Sequence, residues 1–227
     1  VYLDNAATTP IDNEVFEAMM PIIKDGFGNP SSTHFYGRKI KSLIERARKN
    51  VARHMNCSPG EILFTSGGTE ADNMAIRCAV KDLGIKHIVT SAIEHHAVGH
   101  TIARQKDKGL IEVSYVHLDE NGHVDLQHLD QILSTCPKAL VSLMHANNEV
   151  ANLLPIDRVS EICLKHGAIF HSDTVQTMAH YNFDLQELPI HFLTGAAHKF
   201  HGPKGIGFLY INDDISIKPF ISGGGQE

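Results

Sequence analysis

Short apolar runs alternate along this chain with longer stretches in which apolar residues recur every three or four positions. The short runs, at 62–65, 87–91, 111–116, 139–144, 168–171, 192–195 and 207–211, have the length of strands. The longer stretches, at 38–55, 70–83, 96–108, 126–133 and 155–166, read as helices. Within 38–55, Ile40, Leu43, Ile44, Ala47, Val51 and Met55 form one apolar stripe on a charged helix. Alternation of this kind predicts an α/β fold, with a mostly parallel seven-stranded sheet flanked by helices. No internal repeat or low-complexity linker interrupts it. Ligands of such sheets sit beyond the carboxyl ends of the strands, so chemistry is expected there.

Five successive strand ends carry candidate chemistry. After 62–65 comes Ser66-Gly67-Gly68-Thr69-Glu70, a Gly-rich turn opening a helix. Free N–H groups at the helix start and the Thr69 hydroxyl suit a phosphate, and glycine lets the backbone approach it. A plain turn capped by Thr69 is the alternative; a nucleotide P-loop is not, because no Gly-Lys-Ser/Thr follows. After 87–91, Glu94-His95-His96 offers an imidazole that can stack on a flat ring and carry protons. The rival there is a metal pair at His96 and His100, spaced i, i+4, but no cysteine or acid at matching spacing completes it. Asn147-Asn148-Glu149 provides amides for a ring hydroxyl or a carboxylate, or else simply makes a turn. Asp173, at the end of an apolar run, can hold a heteroaromatic ring nitrogen protonated, or cap a helix. Last, His198-Lys199 lies in a Gly-bounded loop where a lysine of lowered pKa could form an imine, whereas Lys204 reads as structural or surface.

Composition narrows the partners. The 227 residues are 42% hydrophobic and 20% charged, enough for a substantial core. A net charge of −6, with no run of like charges, argues against nucleic acid or an anionic membrane, and no apolar stretch reaches the ~18 residues of a membrane span. Cys57, Cys78, Cys136 and Cys163 are scattered, which disfavours a disulfide scaffold or structural zinc, so a reducing, cytoplasmic setting is expected. No metal site is predicted despite 16 histidines. The chain opens on Val1 without an initiator Met, which leaves a targeting segment and an organelle open, and the run from Gly223 to Glu227 looks flexible and expected to lead on.

The chain resembles the cysteine desulfurases, of the class V aminotransferase group of pyridoxal-phosphate (PLP) enzymes. The likeness is carried by Tyr2-Leu3-Asp4-Asn5-Ala6-Ala7-Thr8-Thr9-Pro10, Phe27-Gly28-Asn29-Pro30-Ser31-Ser32, Thr65-Ser66-Gly67-Gly68-Thr69-Glu70-Ala71-Asp72-Asn73 and Glu94-His95. It continues through Asn147-Asn148-Glu149, Asp173-Thr174-Val175-Gln176, His198-Lys199 and Gly202-Pro203-Lys204-Gly205-Ile206-Gly207, so it covers essentially the whole chain.

The resemblance implies the large domain of a fold-type-I PLP-dependent transferase over residues 14–227, with residues 1–13 belonging to a smaller domain otherwise absent. It implies Gly68 and Thr69 as the phosphate cup with His198 beside it, His95 as ring-stacking acid/base, and Asp173 as partner of the pyridine nitrogen. Gln176 would donate to the ring hydroxyl, Asn148 would contact ring or substrate, and Lys199 would be the Schiff-base lysine. Asn5 and Ala6, with Ala7, would line the substrate entrance. The implied reaction takes sulfur from L-cysteine, leaving L-alanine, and passes it as a persulfide towards iron–sulfur or thio-cofactor assembly. A homodimer and a sulfur-acceptor or scaffold protein would go with it. Two departures stand out. Ala196 occupies a position where the family usually has a phosphate-binding Ser. The family's nucleophilic cysteine, its carboxylate-binding arginine and its stretch reaching the partner subunit's phosphate match nothing in residues 1–227, and the four cysteines here read as structural. Selenocysteine lyase, another class V enzyme, a catalytically incomplete PLP-binding assembly module and a histidine-based metal hydrolase are the alternatives.

Overall fold

Each short apolar run becomes a strand, and all seven join in one sheet. The computed structural model describes residues 1–136 and 138–223, so the last four residues of the expected flexible terminal run lie outside the described residues. The chain proceeds through helices α1 (Asn13–Asp25) and α2 (Phe35–His54), strand β1 (Ile62–Thr65), α3 (Gly68–Lys81), β2 (His87–Thr90), α4 (His96–Asp107) and β3 (Glu112–Tyr115). It continues with α5 (Leu126–Thr135), β4 (Leu140–Ser142), α6 (Ile156–His166), β5 (Ile169–Asp173), β6 (Phe192–Ala196) and β7 (Gly207–Ile211). The strand order is β1-β7-β6-β5-β4-β2-β3. Strands β3, β2, β4, β5 and β6 are mutually parallel, while β7 runs antiparallel between β6 and β1. The link from β6 to β7, residues 197–206, is shorter than the dozen or so residues of a parallel crossover, so the strand must return antiparallel.

Helices cover both faces, which is why the strands read as continuous apolar runs and not as alternating ones. On β6, Phe192 packs into a core with Ala71, Ala75 and Ile76 of α3 and Val98 and Ile102 of α4. Its neighbour Leu193 packs the other way, with Ala52 of α2, Leu129 of α5 and Val159 and Cys163 of α6. The same alternation holds on β4 for Leu140 and Val141. This two-sided burial makes the sheet a rigid frame and leaves its strand ends as the place where polar residues gather.

The N-terminal segment crosses one of those ends. The Thr9 N–H donates to the His198 carbonyl at 2.8 Å and the Asp12 N–H to that of His201 at 2.9 Å. Helix α1 follows, capped by Asp12 and burying none of its residues; Phe16, Met20, Ile22 and Ile23 stay exposed on it. Among the described residues no helix is long and apolar enough to cross a membrane.

Candidate cofactor site

Strand β1 stops at Thr65, whose hydroxyl donates to the Gly67 carbonyl at 3.0 Å, and α3 starts at Gly68 with no side-chain cap. Glu70 turns back to accept from the Ser66 N–H at 2.7 Å and the Ser66 hydroxyl at 2.6 Å, which fixes the turn without filling the helix start. A Cβ on Gly68 would come within 2.7 Å of the Val175 side chain and 3.7 Å of the Ala196 Cβ. The absence of a side chain at Gly68 therefore keeps a cradle open over the first N–H groups of α3, an anion site by dipole and donors. Gly68, Thr69, Ala196 and His198 line this end of one cavity.

The opposite end is acidic. Asp173 closes β5 and is 5% exposed; its Oδ1 accepts from the Val175 N–H at 2.9 Å. Burial, then repulsion from Asp72, raises its carboxyl above the usual range. Asp72 reaches the same cavity from α3, one turn beyond Gly68, and is also raised by burial. Nearby, burial pushes Glu94 up to about 8 although the Ser91 hydroxyl at 2.6 Å and the Met144 N–H at 2.9 Å both donate to it. The Ser91 bond fixes the turn after β2 and the Met144 bond ties that turn to the segment after β4, so His95 and Asn148 are held relative to each other.

His95 is the N-cap of α4. Its Nδ1 accepts from the Ala97 N–H at 3.1 Å, which leaves Nε2 as the proton-carrying nitrogen of the neutral ring. The turn-making role falls to Asn147, which accepts from the Glu149 and Val150 N–H groups and donates to the Ile93 carbonyl. Its neighbour Asn148 is thereby free to line the cavity, with its Nδ2 on Glu149. Gln176 lines it too and donates to the Ala6 carbonyl at 2.9 Å. Lys199 lies beside it, its Nζ bonded to that same Ala6 carbonyl and, at 3.0 Å, to that of Ala7. Burial lowers its pKa, while Asp173 and Asp4 act the other way. His198 bonds the Thr8 hydroxyl through Nδ1 at 3.1 Å.

Seven residues singled out from sequence, Gly68, Thr69, His95, Asn148, Asp173, Gln176 and His198, thus line a single cavity. Lys199, Ala6 and Asn5 do not line it; Lys199 and Ala6 are linked to it through Gln176, which bonds the same Ala6 carbonyl as the Lys199 amine, and Asn5 is exposed. Lys204 is exposed, and none of the four cysteines lines the cavity. His96 and His100 stack on the surface of α4 with ring centroids 4.7 Å apart. Among the described residues, the set that could hold a cation is instead Asp72, His95 and Asp173, with one ligand atom from each mutually within 4.8 Å. Asp72 and His171 were not candidates from sequence. The usable signal was a carboxylate on the buried stripe of α3, beside Ala71, Ala75 and Ile76.

These shifts predict how the ligand-free protein responds to pH. A carboxyl whose folded pKa exceeds its unfolded value makes the folded state bind more protons, so stability falls as pH rises between the two values. Asp72, Glu94 and Asp173 all behave this way. Buried His145 and His171, pushed down to about 4, act in the opposite sense, but only below the ordinary histidine pKa of ~6.5. From pH ~6.5 to ~8 the acids are uncompensated, so the midpoint of thermal unfolding should fall across that window. A midpoint that rises there would refute the assignment of buried acids.

The donor set fits PLP: an amide cradle for phosphate, a buried carboxyl for a ring nitrogen, an imidazole for the ring face and an amine beside the cavity. The class-V aminotransferase pattern matches residues 1–227. A cysteine desulfurase IscS of Dictyoglomus turgidum is 45% identical over 229 residues, covering all of this chain and 58% of that protein. A putative cysteine desulfurase IscS 1 of Bacillus subtilis is 42% identical over 230 residues, covering all of this chain and 60% of its own length. The chain therefore spans somewhat under two thirds of these relatives. Among solved structures, a NifS-like protein superposes with TM-score 0.94 at 39% identity, covering 100% of this chain and 62% of the other. SspA in complex with cysteine superposes with TM-score 0.93 at 33% identity, covering 99% and 65%. The fold is that of the NifS-like PLP enzymes, and the chain belongs to the class-V aminotransferase family.

Proposed function

We propose that this chain is the PLP-binding part of a cysteine desulfurase that converts L-cysteine to L-alanine and passes the sulfur on as a persulfide. The observation that carries the reading is the convergence of the Gly68–Thr69 cradle, His95 and buried Asp173 on one cavity, with the Lys199 amine beside it on the Ala6 carbonyl that Gln176 also bonds. Gly68, Thr69 and His198 would hold the phosphate, Asp173 the ring nitrogen, His95 the ring face, Gln176 the ring hydroxyl and Lys199 the aldehyde carbon. PLP supplies an electron sink for the pair left when the substrate Cα–H bond breaks. Burial of the Lys199 amine favours its neutral form, the form that can accept the α-proton. Asp173 kept anionic opposite a protonated ring nitrogen maintains that sink, and Asn148 is placed to bond ring or substrate. His95 Nε2 faces the cavity as the group that can give a proton. L-Cysteine as substrate is supported by the 41–45% identity to cysteine desulfurases and by the likeness to SspA, whose structure contains cysteine. A homodimer, a sulfur-acceptor protein and a cytoplasmic location belong to the same proposal.

The test is to assay full-length protein with L-cysteine for sulfide and alanine. Equimolar release that requires PLP supports the reading; PLP binding without turnover of cysteine or selenocysteine would favour an assembly module. The persulfide-forming thiol is none of the four here. Burial pushes Cys57, Cys78 and Cys163 up to about 12, 11 and 12, which suppresses their thiolates, and Cys136 caps α5 away from the cavity. Each single Cys→Ala variant should therefore keep turnover within about twofold per folded molecule, well under the ~1.4 kcal/mol that makes a tenfold change. A loss of several hundredfold at any one would identify it as the nucleophile.

Ala196 gives a gain-of-binding test. It sits beside the Gly68 cradle and offers no hydroxyl. Ala196→Ser should tighten PLP binding by roughly three- to tenfold, the range of one added hydrogen bond of ~1 kcal/mol. Equilibrium dialysis of the apo-protein reads this directly, and weaker binding would place the phosphate elsewhere.

A further inference from the structure

Asp72 is a carboxyl with no role in the reading above. It projects from the buried face of α3, is 1% exposed, and shares its stripe with Ala71, Ala75 and Ile76. Its Oδ1 has no hydrogen-bond partner. The nearest imidazole nitrogen, His171 Nε2, is 3.4 Å from that oxygen without making a hydrogen bond, and His171 is already engaged by the Ser142 hydroxyl at 2.9 Å and the Thr194 hydroxyl at 3.3 Å. A buried carboxyl oxygen without a donor is costly and calls for one. That donor has a direction to come from, because Asp72 lines the cavity, and one of its oxygens, one of Asp173 and a ring nitrogen of His95 lie mutually within 4.8 Å.

We propose that Asp72 is a second carboxyl for the ring nitrogen of bound PLP, acting beside Asp173. The proposal rests on the PLP reading of the site. A protonated pyridine nitrogen is the one cationic donor on that cofactor, and it supplies both the charge that two adjacent carboxyls need and the hydrogen bond that Asp72 lacks. Burial holds both acids above their usual range in the ligand-free site, and repulsion from Asp72 adds to it at Asp173, as expected of a pair awaiting a cation. The other titratable groups that act on the pair are His171 from β5, His95 at the start of α4, Glu94 from the preceding turn and Lys199 after β6.

The experiment loads full-length protein with PLP carrying 15N in the ring and reads the nitrogen's protonation from its chemical shift. Wild type should be protonated at pH 7. Asp173→Asn should retain a protonated fraction of at least about one tenth, because Asp72 remains, and Asp72→Asn/Asp173→Asn should lose it. If Asp173→Asn is already fully neutral, or if the double variant keeps the fraction seen in the single one, the proposal is overturned. Asp72→Asn alone gives an independent reading, since its ring-nitrogen titration midpoint should drop by about one unit, a tenfold loss of proton affinity. An unchanged midpoint overturns the proposal even if the double variant fails to fold. Failure of wild type to take up labelled PLP would instead refute the cofactor reading itself.

Discussion

Lys199→Ala in the full-length protein should abolish both the yellow colour of lysine-bound PLP and the borohydride-reducible adduct, while Lys204→Ala leaves both intact. The two lysines are five residues apart in one Gly-rich segment, so sequence distance does not separate them. Their surroundings do. The Lys199 amine is partly buried beside the cavity, tethered to the Ala6 and Ala7 carbonyls, and burial lowers its pKa. A neutral amine is the nucleophile in imine formation, so desolvation favours attack on an aldehyde. Lys204 is exposed, in the turn that leads to β7. Without Lys199, PLP would still be held by the Gly68–Thr69 cradle and Asp173, so the variant should bind the cofactor reversibly and release it on dialysis. The effect expected is all-or-none for the covalent adduct, against retention of at least half the adduct in Lys204→Ala. Peptide mapping of the reduced protein decides between them, and an adduct on Lys204 would move the site.

Much of this arrangement was legible before any coordinates, and the reasons are physical. The strands were readable because helices bury both faces of the sheet, so 62–65 and 207–211 agree to the residue with β1 and β7. Boundaries at the other strands shift by one or two residues because burial and strand pairing do not end together: Val116, Leu143 and Met144 stay buried past the ends of β3 and β4. Helix α1 is absent from the predicted elements. Pro21 lies within it, and its apolar residues find no core in this chain to give the stripe a meaning. Gly68, Thr69, His95, Asn148, Asp173 and Lys199 were legible because each follows an apolar run, and the sheet brings the ends of those runs to one edge, whereas Gln176, Asn5 and Ala6 came only from the family resemblance. Apart from the resemblance, which pointed to Asn148, the residue pattern could not settle which of two adjacent asparagines does which job. Asn147 makes the turn while Asn148 faces the cavity, and that depends on the Ile93 carbonyl, far off in sequence. Asp72 escaped notice for a related reason: a single carboxylate in a helix reads as solvated until its face is known to be buried.

Asp173→Asn should keep PLP but lose at least ~100-fold in turnover, since each ~1.4 kcal/mol of transition-state stabilisation is tenfold in rate. The substitution is nearly isosteric, and the Val175 N–H that bonds Oδ1 can still find the amide oxygen, so the end of β5 should hold its shape. The backbone of Asp173 is also fixed independently, its carbonyl accepting from the His145 N–H at 2.9 Å. What changes is charge. An amide cannot sit opposite a cationic nitrogen with the attraction of a carboxylate, and the sink for the Cα electron pair weakens with it. Cofactor retention should survive because the phosphate cradle and Lys199 are untouched. The loss should fall on kcat, with little change in KM, since the carboxylate acts on the reacting system and not on recognition of the substrate. Asp72→Asn, which leaves Asp173 in place, should cost much less than Asp173→Asn and still leave the ring nitrogen protonated. Steady-state assays of sulfide release on the three proteins separate these outcomes. Near-normal turnover in Asp173→Asn would return that residue to the role of a turn-capping acid, its only other visible task at the end of β5.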